Sequence, residues 1–186
     1  MSDFQAKVPQ GIEYEFDELA AESLMGGDDF LALNCDNYYP VSAIRALALL
    51  GEPGLPVFER EALLETSNFP RQRVERYAVL EVDARGYLSG VVEKPGAPAP
   101  PDGGGGGAVL LSMNLWRFSP AIFEACRRVP RSVRGEFELP QAVAFGIREM
   151  GLCFRAVPCT EAVLDLSTRG DIAAVAERLR GIEPRP

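Results

Sequence analysis

The chain contains no histidine. Imidazole general bases, histidine-ligated zinc and a Ser-His-Asp triad are therefore excluded. It also lacks any apolar run near the roughly 20 residues that cross a bilayer, and its start lacks a signal-peptide pattern. The cytoplasm is the expected location, with no membrane partner. Basic residues are in the minority, 19 Lys and Arg against 27 Asp and Glu, for a net charge of -8. That balance argues against a protein whose main task is gripping nucleic acid. A small phosphorylated substrate stays compatible, because it needs only a few local cations or a metal. The four cysteines, Cys35, Cys126, Cys153 and Cys159, include no CxxC pair. They are expected to be buried thiols, not a disulfide framework.

What is present suits one ordinary globular domain. The 186 residues are 47% hydrophobic and 25% charged, enough to bury a self-sufficient core. Residues 11–27 turn helix-like before the Gly26-Gly27 breaker. Phe30 to Leu33 read as a buried central strand, and residues 42–50 as a helix with Ile44, Leu47 and Ala48 on one face. Tyr77 to Val82 and Tyr87 to Val92 read as a hairpin around Asp83-Ala84-Arg85-Gly86. Residues 96–107, almost wholly Pro, Ala and Gly, read as a flexible surface loop.

Beyond that loop, Ala108 to Phe118 reads as a strand. Ser119-Pro120 opens a helix with Ile122, Phe123, Cys126 and Val129 on one stripe. A helix over 139–150 and short strands at 154–157 and 162–166 follow. A final helix over about 171–180 places Ile172, Val175, Ala176 and Leu179 together. Strands alternating with helices predict an α/β fold with a mixed, mainly parallel sheet.

Three segments offer chemistry. Asp36 follows the apolar strand at its carboxyl end, where open α/β sheets bind ligands and a carboxylate can hold a divalent cation. A turn-forming Asp36-Asn37 pair is the plainer reading. Asp165 lies inside a second short apolar run, where a charge is costly unless paired. It either shares a cation with Asp36 or accepts backbone hydrogen bonds at a helix entry. Glu93-Lys94-Pro95 ends the hairpin, where a carboxylate can accept sugar hydroxyls and an ammonium can meet phosphate. An exposed ion pair is the alternative. The five glycines at 103–107 are no phosphate loop, since neither a preceding strand nor a following Lys-Ser/Thr is present.

These segments, in this order, resemble the sugar-phosphate nucleotidyltransferase family over about residues 11–181. That family includes glucose-1-phosphate uridylyl-, thymidylyl- and adenylyltransferases and mannose-1-phosphate guanylyltransferases. The matching pieces are Phe30 to Asn37, Glu93-Lys94-Pro95, Asn114 on its strand, Arg134-Gly135-Glu136, and Asp165 with Thr168. The resemblance implies a Rossmann-like nucleotide-diphospho-sugar transferase fold and a Mg²⁺-dependent transfer from a nucleoside triphosphate to a sugar 1-phosphate. It implies Asp36 and Asp165 as metal ligands, and Glu93, Lys94, Asn114 and Glu136 as substrate contacts. Such in-line transfer depends on positioning and charge neutralisation, so it needs no histidine.

The family pattern is not complete here. Cys35 stands where a glycine usually precedes the first aspartate, Val163 where a tryptophan is usual, and Ser167 where a glycine is common. Nothing in Met1 to Gly27 resembles the family's glycine-rich, arginine-containing triphosphate loop. On that reading the fold is N-terminally truncated, no catalytic Arg or Lys loop is identified, and turnover by this chain alone is expected to be slow or absent. A truncated sheet would also expose edges that invite self-association. A non-catalytic module that binds sugar phosphates or nucleotide sugars is the alternative. A glycosyltransferase is disfavoured, because Asn34-Cys35-Asp36 is not the Asp-x-Asp it would want.

Overall fold

The computed structural model describes residues 17–92, 108–132, 135 and 137–182. Glu93, Lys94, Glu136 and the loop expected at 96–107 lie outside them. The chain divides into two compact units. One takes the described residues from 17 to 30 and from 118 to 152, the other those from 31 to 117 and from 153 to 182.

The first unit is helical. It contains α1 (Asp17–Met25), α5 (Ala121–Arg128) and α6 (Leu139–Met150). The stripe on α5 is buried at Ile122, Phe123 and Cys126, with Val129 just past its end. Phe30 stacks on Phe123 with centroids 5.2 Å apart. The αL cap at Gly151, with φ 67°, stops α6 where the sequence pattern places its end.

The second unit holds the sheet. Its strands are β1 (Phe30–Leu33), β3 (Gly54–Glu59), β4 (Val79–Val82), β5 (Leu88–Val92), β6 (Leu110–Leu111), β7 (Leu115–Phe118) and β8 (Arg155–Cys159). The order is β1-β7-β3-β6-β4-β5, and β8 pairs with β3. A separate two-stranded ribbon joins β2 (Asn37–Tyr38) to β9 (Leu164–Asp165). The unit's helices are α2 (Val41–Ala48), α3 (Arg60–Thr66), α4 (Arg71–Val74) and α7 (Ile172–Arg178). No helix among the described residues is long and apolar enough to cross a membrane.

The sheet is mainly antiparallel, which corrects the mainly parallel expectation. Only β3 and β8 run parallel among the pairs with an assigned direction, from Gly54↔Arg155 to Phe58↔Cys159. β4 and β5 meet through a short turn, and so small a connection can join only antiparallel neighbours. β6 and β7 both return antiparallel to β3. A second correction concerns β1. It stands at the end of the described strand order and is half-buried at best, not a buried central strand.

The hub is β3, buried at every residue but its last. Pro56 sits inside it, although proline is usually confined to edges because it cannot donate to a ladder. Here it falls between the partners of β7 at Gly54 and of β6 at Phe58, opposite the break between those strands. Gly54 is required by space: a Cβ there would lie 2.5 Å from the Leu50 side chain and 2.6 Å from the Arg155 carbonyl oxygen. Phe58, Leu47, Leu63, Leu111 and Leu115 form the core around this hub.

None of the four cysteines forms a disulfide. Cys126 and Cys159 are buried as expected, whereas Cys35 and Cys153 are exposed. Ile172, expected inward on the last helix, is 54% exposed, because only Val175 of α7 is buried.

Candidate functional site

The ribbon sets the site. In β2–β9, Asn37 faces Asp165 and Tyr38 faces Leu164. The amide of Leu166 donates to the Asp36 carbonyl at 2.9 Å. Two aspartates far apart in sequence thereby come to adjacent positions at the ribbon's end. The Ser167 hydroxyl lies 2.6 Å from Asp165 Oδ1 and 3.2 Å from Asp36 Oδ2. One hydroxyl has a single proton, so it cannot fully satisfy both carboxylates.

Asp165 is fixed on every side. It is 3% exposed. The Asn68 side chain pairs with its backbone twice, accepting from the Asp165 amide and donating to the Asp165 carbonyl, both at 2.8 Å. Just before it, the Val163 amide donates to the Ser67 hydroxyl at 3.1 Å. Ser67 and Asn68 thus serve as a side-chain substitute for a neighbouring strand. The remaining oxygen, Asp165 Oδ2, accepts from Arg73 Nη1. That same nitrogen reaches Asp171 Oδ2 at 3.5 Å.

Asp171 has a structural task already. Its carboxylate accepts from the Thr168 amide and hydroxyl, both at 2.8 Å, closing a capping box on the short 3₁₀ turn Arg169–Asp171. These bonds, led by the Thr168 hydroxyl and helped by Arg73, hold its carboxyl below the usual carboxylate range. Asp36 differs from both. It is exposed, and no basic side chain among the described residues forms an ion pair with it.

Asp36, Asp165, Ser167 and Arg73 line a cavity of about 160 Å³ with Asn34, Asn37, Tyr77, Ser112, Met113 and Asn114. Asn114 is the only non-glycine among the described residues with positive φ, at 52°. Left-handed backbone is costly for most side chains and least so for Asn. Asn114 stands in the break between β6 and β7, and its amide donates to the Ser112 hydroxyl at 3.2 Å. Tyr39 supports the same wall, donating its hydroxyl to the Met113 carbonyl at 2.6 Å. Burial pushes the Tyr39 phenol up to about 12, with Asp36 and Asp165 adding to the shift. Burial raises Tyr77 as well, so both phenols stay neutral in ordinary buffers.

The structure therefore brings Asp36, Asp165 and Asn114 to one cavity. Arg73, Asn68, Tyr39 and Tyr77 were not anticipated from sequence. Arg73 carried no local signal, because its partner lies 92 positions away.

The cavity suits a hard cation beside an anionic or hydroxyl-rich ligand. No group of three or more His, Cys, Asp or Glu positioned to hold a metal occurs among the described residues. Mg²⁺ does not require one, since it takes one or two carboxylates and completes its shell with water and phosphate oxygens. Asp36 and Asp165 supply oxygen donors of that kind, and the shared Ser167 proton leaves negative charge for a cation to neutralise.

No protein-family profile matches the chain. Two curated proteins are similar over 125 residues. One is a glucose-1-phosphate thymidylyltransferase of Streptomyces antibioticus, 30% identical over 67% of this chain and 31% of its own length. The other is a low-salt glycan biosynthesis nucleotidyltransferase of Haloferax volcanii, 29% identical over 66% and 30%. A UTP–glucose-1-phosphate uridylyltransferase of the same organism is 36% identical over 73 residues, 39% of this chain and 27% of the relative. The matched segments thus span under a third of these relatives.

Among solved structures, a UDP-glucose pyrophosphorylase complexed with UDP-glucose aligns with a TM-score of 0.65, at 15% identity over 89% of this chain and 61% of the other. A UTP-bound enzyme of the same activity from Acinetobacter baumannii gives 0.59, at 19% identity over 89% and 56%. These similarities establish the nucleotide-diphospho-sugar transferase fold.

Proposed function

We propose, from the premise that the chain's curated relatives and fold neighbours are sugar-phosphate nucleotidyltransferases, that it supplies the metal- and sugar-phosphate-facing part of such a transferase site. The reaction joins a sugar 1-phosphate to a nucleoside triphosphate. A phosphate oxygen of the sugar 1-phosphate forms a bond to the α-phosphorus while the bond to the β-phosphate oxygen breaks, and pyrophosphate leaves.

The observation that carries this reading is the meeting of Asp36 and Asp165 across Ser167 in one cavity. In this reading Asp36 and Asp165 hold Mg²⁺, which when bound neutralises phosphate charge and orients phosphate oxygens. Ser167 keeps the two carboxylates turned toward each other. The Asn114 side chain, on the cavity wall, offers both a donor and an acceptor to sugar hydroxyls. Glu93, Lys94 and Glu136 enter the proposal as further sugar and phosphate contacts on family resemblance alone.

The test is pyrophosphate release by the chain, with a panel of sugar 1-phosphates, including glucose 1-phosphate, against UTP, dTTP, ATP, CTP and GTP. The expected result is slow release of pyrophosphate and nucleotide sugar in equal amounts with at least one pair, reduced about 100-fold or more in Asp36→Ala. Turnover unchanged in that variant would sink the assignment, as would tight substrate binding with no turnover for any pair.

A further inference from the structure

Among the described residues, every other charged side chain lining the cavity is acidic, and Arg73 is the exception. Asp36, Asp165 and Asp171 surround it or stand beside it, so the local balance is negative even with its guanidinium counted. Burial works against the charge on Arg73, yet Asp165 and Asp171 outweigh it and raise its pKa. Its side chain remains 26% exposed, on the wall of the cavity itself.

This placement creates a competition. Ser167 occupies one oxygen of Asp165 and Arg73 the other. A divalent cation approaching Asp165 must displace one of them or share an oxygen already paired with a positive charge. Asp36 presents no such obstacle. Meanwhile both Arg73 contacts come from Nη1, and a guanidinium carries five N–H groups in a fork suited to phosphate. Asp171 keeps its two Thr168 bonds whichever way the guanidinium turns.

We propose that Arg73 is a positioning residue that holds Asp165 in the absence of ligand and transfers to the phosphate group of the incoming sugar phosphate, so that phosphate and divalent cation bind cooperatively. The proposal rests on the transferase reading above. It adds that cation and phosphosugar are coupled through one guanidinium. Without phosphate the cation faces Arg73 across Asp165. With phosphate present, the same arginine becomes a second cationic contact to the anion and leaves Asp165 open to the metal.

The test uses the chain with Mn²⁺ as the cation and glucose 1-phosphate as the probe, followed by Mn²⁺ electron paramagnetic resonance and by calorimetry. Circular dichroism verifies the fold of each variant. In the unaltered chain, saturating glucose 1-phosphate should tighten Mn²⁺ binding about five- to tenfold, the range expected for releasing a partly exposed ion pair. In Arg73→Met the two ligands should respond with opposite sign: Mn²⁺ alone binds about tenfold tighter, glucose 1-phosphate binds weaker, and the coupling disappears. A merely structural arginine would weaken both ligands on removal, and that outcome overturns the proposal. If Arg73→Met fails to fold, Arg73→Lys keeps the charge but loses the fork, and should cut the coupling to below about twofold. Coupling unchanged in Arg73→Lys overturns the proposal too. Mn²⁺ binding and pyrophosphate release that survive while Arg73 proves indifferent would sink this inference alone. A chain that binds no Mn²⁺ with or without the probe would sink it together with the transferase reading.

Discussion

β3 and the β2–β9 ribbon are held by different forces. β3 is six residues long, flanked by β8 on one side and β6 and β7 on the other, and buried almost throughout. Its position follows from apolar packing, and the break between β6 and β7 leaves its mid-strand proline no ladder bond to donate. The ribbon has two residues per strand, too few to define a geometry by ladder bonds alone. Its precision comes from side chains: Asn68 on the Asp165 backbone, Ser67 on Val163, and Ser167 between the carboxylates. The core is thus specified redundantly by bulk, and the site by single hydrogen bonds.

That difference predicts a ranked series of effects. The largest loss of stability should come from the hub. Phe58→Ala removes a fully buried ring and should cost about 3–5 kcal/mol in denaturant unfolding. A cost under about 1 kcal/mol would show that β3 is not the packing centre. Next comes Asn68→Ala, which strips partners from both backbone groups of Asp165. It should cost about 1–3 kcal/mol and lower cation affinity more than Phe58→Leu does. Equal effects on affinity would erase the distinction between core and ribbon.

Ser167→Ala should cost about 1 kcal/mol or less and slow turnover roughly tenfold, with Ser167→Thr restoring most of the rate. A threonine that fails to rescue would argue that the hydroxyl is not the bridge. A pH-dependent effect is expected from Tyr39. Its folded pKa lies at about 12 against an ordinary 10.0. A raised value means the stability it contributes is complete below pH 10 and is lost as pH climbs toward about 12. Tyr39→Phe should therefore flatten the alkaline limb of a stability-versus-pH curve between those values. An unchanged limb would place the titration elsewhere.

Local patterns made much of the frame legible. Phe30–Leu33, the hairpin with its Asp83–Gly86 turn, and helix α6 with its glycine stop were all readable from period and turn chemistry. Residues 52–76, which contain β3, α3, α4, Asn68 and Arg73, carry no such local pattern. A strand written Gly-Leu-Pro-Val-Phe-Glu breaks the proline rule, and the break opposite Pro56 that excuses it is a tertiary fact. Strand direction failed for a related reason. Alternation of strands and helices suggests crossovers, but β6 and β7 come from one interrupted stretch that turns back against β3.

The site followed the same division. Asp36 and Asp165 each stood out as a carboxylate at the end of an apolar run, and Asn114 through resemblance. The residues that hold them were invisible because hydrogen bonds across 92 to 131 positions leave no local trace.

The central claim is that Asp36 and Asp165 serve one cation. Counting bound Mn²⁺ per chain, for the unaltered protein and for Asp36→Ala and Asp165→Asn with folding verified, tests it most directly. The account predicts one ion per chain, and loss of that ion in each variant separately, with Asp36→Ala leaving stability within about 0.5 kcal/mol because the residue is exposed. A folded variant of either kind that binds Mn²⁺ as the unaltered chain does would contradict it.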